Sequence, residues 1–356
     1  MEKKTPLYDL HVELKGNIVP FAGYLLPVNY QDGILFEHRL VRNKAGLFDV
    51  SHMGELILEG PDALANLQYL ITNDYRNLEI GSVRYGVLVK EDGTTVDDLL
   101  VYKMQEQKYF IVVNASNTDK DDAWIRDHLF GDVTLKNVSD GIGEIALQGP
   151  LAKEILAKIC DDLPEKYYTF KDYVKVAGIE CLVSSTGYTG EAGYEIYCKA
   201  KETEKLFLAV LEAGKEEGLQ ACGLGCRDTL RLEAAMPLYG HELSEEITPV
   251  ESSLKSFVKL DKEKFIAAQA LSQAPGRKRI GLELVDRGIA REHTPVLVDG
   301  KEVGFVTSGT MSPTLGKAIA MAIVAIDTID SPVFQLDVRG KILSAKRTPL
   351  PFYKRK

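Results

Sequence analysis

Gly93-Thr94-Thr95-Val96-Asp97-Asp98-Leu99-Leu100-Val101-Tyr102 follows the turn signal Glu91-Asp92-Gly93 and alternates as a β-strand. Neighbouring strand residues point to opposite faces, so Asp97 and Asp98 cannot share one. The expectation is that one of them is solvated and the other points toward the interior. A carboxylate stays inside only with partners or a ligand cation. The plainer reading is a turn-capping aspartate followed by a salt-bridged one, and the pair alone does not decide between the two.

The same strand-and-turn punctuation recurs along the chain. Strand-like runs occur at Glu55-Leu56-Ile57-Leu58, at Tyr109 to Val113 and at Ile145-Ala146-Leu147. Others are Cys181-Leu182-Val183, Tyr194-Glu195-Ile196-Tyr197 and Ala318 to Ile326. Helices fall between some of them. Leu64, Leu67, Leu70 and Ile71 follow helical spacing after Pro61-Asp62. Thr203 is the expected cap of a helix that buries Leu206, Phe207, Val210 and Leu211 and ends near Gly214 or Gly218. A third helix follows Gln148-Gly149-Pro150 and runs through Ile155, Leu156 and Ile159. Strands and helices do not alternate as a doubly wound parallel sheet requires, so the fold class is α+β with antiparallel sheets. After Pro275-Gly276-Arg277-Lys278-Arg279 the pattern is strand and turn almost throughout, which predicts an all-β C-terminal domain.

With 356 residues, two or three domains are expected. The net charge of −9 argues against a nucleic-acid or anionic-membrane binder, since neither polyanion is attracted overall. No apolar run reaches the roughly eighteen residues of a membrane span. The N-terminal MEKKTPLYDLHVELKG lacks the apolar core of a signal peptide, so a cytoplasmic location is expected. Five scattered cysteines do not form a disulfide framework and fit a reducing compartment.

Common site signatures fail one by one. The six histidines form no HxxxH or HExxH pair, and Cys222 and Cys226 make a C-x3-C with no second pair, so no metal is expected. In Gly309 to Lys317, GTMSPTLGK, the glycines are too far apart for a phosphate loop, and Ala318 replaces the magnesium-binding Ser or Thr. No GxSxG nucleophile elbow is present, and the glycines at 141 and 143 lack the third of a dinucleotide fingerprint.

Two further segments remain. In Ser184-Ser185-Thr186-Gly187-Tyr188-Thr189-Gly190-Glu191-Ala192-Gly193-Tyr194-Glu195, glycines at a spacing of three allow tight turns and close backbone approach to a ligand. Tyr188 has the shape to stack on a flat ring, and Glu195 can accept two N–H bonds from it. An ordinary glycine-rich hairpin fits the same letters. In Cys222-Gly223-Leu224-Gly225-Cys226-Arg227-Asp228-Thr229-Leu230-Arg231-Leu232-Glu233, Arg227 begins a helix beside flexible glycines, which suits a forked contact with a carboxylate. A helix-surface pair with Asp228 or Glu233 is the alternative.

Taken together and in order, these segments closely resemble the aminomethyltransferases of the glycine cleavage system, the T-proteins. The matching stretches include Thr5-Pro6-Leu7-Tyr8, Gly46 to Glu55, Ile71-Thr72-Asn73-Asp74, Val96-Asp97-Asp98-Leu99 and Val113 to Asn117. Leu147-Gln148-Gly149-Pro150, Thr186 to Glu195, Gly223 to Glu233, Thr307 to Thr310 and Ser312 to Gly316 extend the resemblance over essentially the whole chain. It implies a three-domain cloverleaf around a central folate channel. The expected domains are residues 1–51 plus 138–230, residues 52–137 plus 231–275, and the β-rich 276–356. The implied reaction is tetrahydrofolate-dependent transfer of an aminomethyl group from the lipoyl arm of the H-protein. Methylenetetrahydrofolate, ammonia and the reduced arm are its products, with tetrahydrofolate as co-substrate.

By the same resemblance Asp98 is the catalytic carboxylate, orienting the reacting nitrogens and stabilising the cationic one-carbon unit. Glu195 corresponds to a pterin-reading glutamate. Tyr85, Asn114 and Tyr188 match residues lining the folate pocket. Arg227 corresponds to an arginine pairing with a carboxylate of the folate tail, and Tyr353 to a C-terminal tyrosine near the substrate. The chain departs from the family pattern at Thr94, Tyr24, Cys226, Met236 and His293-Thr294. An alternative within the superfamily is a folate-dependent demethylase of a small methylated amine or sulfonium compound. A non-catalytic folate-binding relative would carry a KGC-type motif, which this sequence lacks.

Overall fold

Side chains at 145 and 147 alternate with those at 144 and 146 along the strand Ile142–Gln148, and this alternation organises the first of two compact units. The structure is a computed structural model describing residues 2–355. The first unit takes the described residues up to Leu67, then Tyr75–Tyr85 and Leu99–Asp228.

Its six-stranded sheet has the order Phe170–Val176, Ile179–Ser184, Gly193–Lys199, Ile142–Gln148, Gly46–Asp49, Gln220–Ala221. All pairings are antiparallel except the last. Ile145, Leu147, Val183 and Ile196 lie on one face and pack with Leu206, Phe207 and Val210 of the helix Thr203–Ala213 and Ile155 and Leu156 of Ala152–Ala157. Each such side chain contributes about 1.5–3 kcal/mol by leaving water. Thr203 is the first helical residue and not the cap; its hydroxyl turns back to the carbonyl of Ala200. Ile159 lies beyond the end of Ala152–Ala157.

A second sheet runs Val83–Val89, Thr95–Gln105, Lys108–Val113, Gly54–Glu59, Thr134–Asn137. Within the first unit Tyr102, Phe110 and Tyr197 meet edge-on, with centroids 5.5 to 6.0 Å apart, so an aromatic cluster joins this sheet to the other.

The second unit takes Gln68–Asp74, Gly86–Asp98 and the described residues from Thr229 on. It contains a closed antiparallel barrel in the order Arg277–Leu284, Lys317–Ala325, Lys301–Ser312, Pro295–Val298, Phe334–Val338, Lys341–Thr348. Ala318, Ala320, Ala322 and Val324 fill the interior with Leu282, Phe334 and Leu336, while Ile319 and Met321 pack outside the barrel against Leu232 and Ala235. Burial on both faces is why Ala318 to Ala325 reads as an unbroken apolar run. The α+β class, the antiparallel sheets and the β-rich C-terminal part all stand as expected.

Asp97 departs from expectation. It is fully buried and Asp98 is half-buried, so neither is a solvated strand residue. Alternation predicts a solvated face only where one side of a sheet meets water. Thr95, Val96 and Asp97 are buried in succession, so both sides of this strand end are covered.

Candidate functional site

On the face of the six-stranded sheet opposite Ile145 and Ile196, strand pairing sets an acidic group in rows. Glu144 lies opposite Tyr197, Ala146 opposite Glu195, and Ser184 beside Glu195 on the next strand. Glu195 is 7% exposed, and the Thr186 hydroxyl donates to its Oε2 at 2.5 Å. Burial raises its carboxyl above the ordinary range, while Thr186 and the Arg227 charge oppose the rise. Glu144 rises further: burial raises it, Glu195 and Glu55 add like charge, and Arg227 and Tyr197 offset only part. Glu55 is likewise held well above its ordinary value by burial, with Ser139 opposing. Both Glu55 carboxyl oxygens and Oε2 of Glu144 are buried without a hydrogen-bond partner among the described residues. His52 is pushed down to about 4 by burial and by Arg227, so it is neutral near pH 7.

Arg227 supplies the positive charge in this group. Its guanidinium lies over the Tyr188 ring, 4.9 Å from the centroid, and its Nη1 is buried without a partner among the described residues. The helix Leu224–Glu233 holds it there, and the glycines before it are packed instead of flexible. A Cβ on Gly223 would sit 2.6 Å from the backbone of Val28, and one on Gly225 2.4 Å from Ile34. Cys222 and Cys226 are buried beside Glu37, whose carboxylate accepts the backbone N–H groups of Tyr30 and Gly223 at 2.6 and 2.9 Å. Burial and the neighbouring Cys222 keep the Cys226 thiol well above its usual range.

The glycine-rich loop approaches Gln148. A Cβ on Gly187 would meet Gln148 Oε1 at 2.1 Å, and one on Gly193 its Nε2 at 2.4 Å. Gln148 donates to the carbonyl of Thr186 at 3.1 Å and accepts from Thr189 at 2.8 Å, pinning the loop on both sides of Tyr188. Gly190 takes the positive φ of +80° that the turn requires.

Of the expected site residues, Tyr188, Glu195 and Arg227 are therefore together in the first unit. Tyr85 and Asn114 belong to that unit and are half-buried, on Val83–Val89 and directly after Lys108–Val113. Asp98 and Tyr353 belong to the second unit. There the backbone N–H of Tyr353 donates to the carbonyl of Glu233 at 2.8 Å. The Glu233 carboxylate in turn accepts from the Ser312 hydroxyl and, at 3.1 and 2.8 Å, from the backbone and hydroxyl of Thr314.

Sequence reasoning passed over Glu144, Glu55, Tyr102 and Tyr197. The signal available was a polar or charged letter at an inward position of an otherwise apolar strand, as in Ile142-Gly143-Glu144-Ile145-Ala146-Leu147.

Comparison with known proteins identifies the family. A family model described as the GCVT N-terminal domain matches residues 7–262, and one for the glycine cleavage T-protein C-terminal barrel domain matches residues 277–354. An aminomethyltransferase of Anoxybacillus flavithermus is 48% identical over 100% of both chains. One of Bacillus cereus is 47% identical over 99% of this chain and 98% of its own. The crystal structure of the glycine cleavage system aminomethyltransferase T of Bartonella henselae superposes with a TM-score of 0.92 at 31% identity, covering 100% of this chain and 99% of that one. These relatives do not favour the demethylase alternative. The chain belongs to the glycine cleavage T-protein family of aminomethyltransferases.

Proposed function

We propose that this aminomethyltransferase uses tetrahydrofolate as its acceptor and takes the aminomethyl group from the lipoyl arm of an H-protein. The observation that carries the reading is the group formed by Glu195, Arg227 and Tyr188. A pterin presents a flat ring and an edge of adjacent N–H donors. Glu195 offers a buried carboxylate to such an edge, with Thr186 fixing one oxygen and Arg227 balancing its charge. Arg227 Nη1 is a buried donor that awaits an oxygen acceptor, in the family a carboxylate of the folate tail. Tyr188, already capped on one side by the guanidinium, supplies a ring face. Tyr85 and Asn114, in the same unit, complete the lining in this reading, and Tyr353 is assigned to the substrate on the family resemblance alone.

Bound folate supplies the nitrogens that receive the one-carbon unit. Asp98 orients them and balances the positive charge on the carbon being transferred, acting by position and field. Asp97, fully buried, is not assigned a part in the chemistry. No described helix is long and apolar enough to cross a membrane, and the five cysteines are free, which together support work in the cytoplasm.

The deciding experiment offers the enzyme a lipoyl protein loaded with the aminomethyl group and, separately, small methylated amines and sulfonium compounds, each with tetrahydrofolate. Ammonia release from the first alone supports the reading; turnover of a methylated donor alone would overturn it.

A further inference from the structure

Tyr188 and Arg227 stand on different segments, and both segments are fastened to one helix. On the helix Ile34–Asn43, Glu37 lies in the first turn and Arg42 in the last. Glu37 accepts the backbone N–H of Gly223 at 2.9 Å, just ahead of the helix that carries Arg227. Arg42 holds the loop that carries Tyr188: its Nη1 donates to the Thr189 carbonyl at 2.7 Å and to Oε1 of Glu191 at 2.9 Å. Both side chains of that ion pair are 5% exposed. Thr189 is therefore gripped from two directions, by Arg42 at its carbonyl and by Gln148 at its hydroxyl. Farther along the loop, the carbonyl of Ala192 accepts the backbone N–H of Gly149 at 2.8 Å.

We propose that Arg42 is a positioning residue for folate binding: by fixing the Thr189 carbonyl and the Glu191 carboxylate it holds the Tyr188 ring against the Arg227 guanidinium. The inference rests on Tyr188 and Arg227 meeting the folate. A buried ion pair adds little stability over apolar side chains of the same volume, so stability alone does not account for this one. What it does is select one geometry. Thr189 directly follows Tyr188, so a released carbonyl there lets the peptide between them rotate and takes the ring with it. The contact between ring and guanidinium, 4.9 Å from the centroid, depends on where that ring lies. A loop already ordered when the ligand arrives also loses less conformational entropy on binding. In this role Arg42 acts on affinity through the loop, and kcat at saturating folate stays near wild type.

Arg42→Met alone would strand the Glu191 carboxylate, so the test removes both charges. Tetrahydrofolate affinity is measured calorimetrically on the full chain, well below the melting temperature. In Arg42→Met/Glu191→Gln it is expected to fall roughly ten-fold, the size of one hydrogen bond to a charged group. Arg42→Lys should keep most of the affinity, because one nitrogen makes both contacts and an ammonium can stand in its place. On a Tyr188→Ala background the double substitution should cost less than about two-fold, since the ring it positions is gone. A merely structural pair would lower Tm and leave the affinity of the folded molecules unchanged. If the double variant does not fold, Arg42→Gln/Glu191→Gln replaces it, a neutral pair expected to weaken binding about three-fold with the same dependence on Tyr188.

Wild-type affinity in the folded double variant overturns the inference, and so does a loss that persists undiminished without Tyr188. Unchanged affinity in Tyr188→Ala by itself overturns the ligand-facing role of Tyr188 and the inference with it. Weak binding in Tyr188→Ala beside wild-type binding in the Arg42 variants keeps that role and removes only the part given to Arg42.

Discussion

The imidazole Nε2 of His11 lies 2.8 Å from Oδ2 of Asp49, and both side chains are at most 1% exposed. Thr5 donates to the same oxygen at 2.7 Å, the backbone of Ser51 donates to Oδ1 at 2.9 Å, and the Tyr30 hydroxyl meets the other ring nitrogen at 2.8 Å. This network ties the helix Tyr8–Glu13 to the strand Gly46–Asp49, whose continuation through Val50 and Ser51 leads to His52 beside Arg227. It is the scaffold on which part of the acidic group stands.

Burial alone would raise the Asp49 carboxyl, but the His11 hydrogen bond and charge, with Thr5 and Ser51, hold it below its ordinary value. A carboxyl depressed in the folded state stabilises above its unfolded pKa and loses that contribution as pH falls through the folded one. Asp49→Asn is therefore expected to cost about 3–5 kcal/mol near pH 7, the usual cost of removing one partner of a buried pair. The gap to wild type should narrow below about pH 4. Urea unfolding at several pH values measures both.

The adjacent aspartates should separate by what each substitution damages. Asp98→Asn is expected to lower turnover on the order of 10²–10⁴-fold with modest loss of folate affinity and little change in Tm, as for a positioned acid or charge-stabilising group. Asp97→Asn should act mainly on stability, by about 1–3 kcal/mol, because it alters a fully buried hydrogen-bonding group. Steady-state kinetics with a thermal melt on each variant reads the difference. Turnover by Asp98→Asn within a few-fold of wild type would remove it from the chemistry.

How much of this was legible before folding depends on how local the cause is. Lys108–Val113 and Lys317–Ala325 are strands for reasons written in their own letters, and the helix after Pro61-Asp62 likewise. The burial of Asp97 was not, because it depends on what covers each side of the strand, and alternation assumes one side is open. That Glu144 faces Tyr197 comes from pairing two strands some fifty residues apart, which no local period encodes. Nor did the glycines at 187 and 193 announce their purpose. They read as room for a ligand, and the atoms they make room for are those of Gln148.

Glu195→Ala removes the buried carboxylate that Thr186 and Arg227 hold. Tetrahydrofolate affinity should fall roughly 10- to 100-fold, the range for hydrogen bonds to a charged group. Arg227 also loses a neighbouring negative charge, so part of the loss belongs to a stranded guanidinium. Glu195→Gln isolates the charge: it keeps the shape and one acceptor while losing the ability to accept two N–H bonds. Calorimetric titration of both variants ranks them, with Ala weakest, Gln intermediate and wild type tightest.

Gly187→Ala tests the loop without touching a charged group. The added methyl would lie 2.1 Å from Gln148 Oε1 and 2.3 Å from its Nε2, closer than real Cβ atoms approach anything. Gln148 is fully buried and bonded at both ends, to the carbonyl of Thr186 and the hydroxyl of Thr189, so it cannot swing away cheaply. The loop must move instead, carrying Tyr188 off Arg227 and Thr186 off Glu195. The expected result is overpacking of about 1–3 kcal/mol in stability, with weakened folate binding because two of its contacts shift together. Gly187→Ala combined with Gln148→Ala opens the space and should recover part of the stability. It should not recover the affinity, since the loop is then free on the Gln148 side. A double variant with wild-type affinity would show that Gln148 only fills space and leaves the placement of Tyr188 to other contacts.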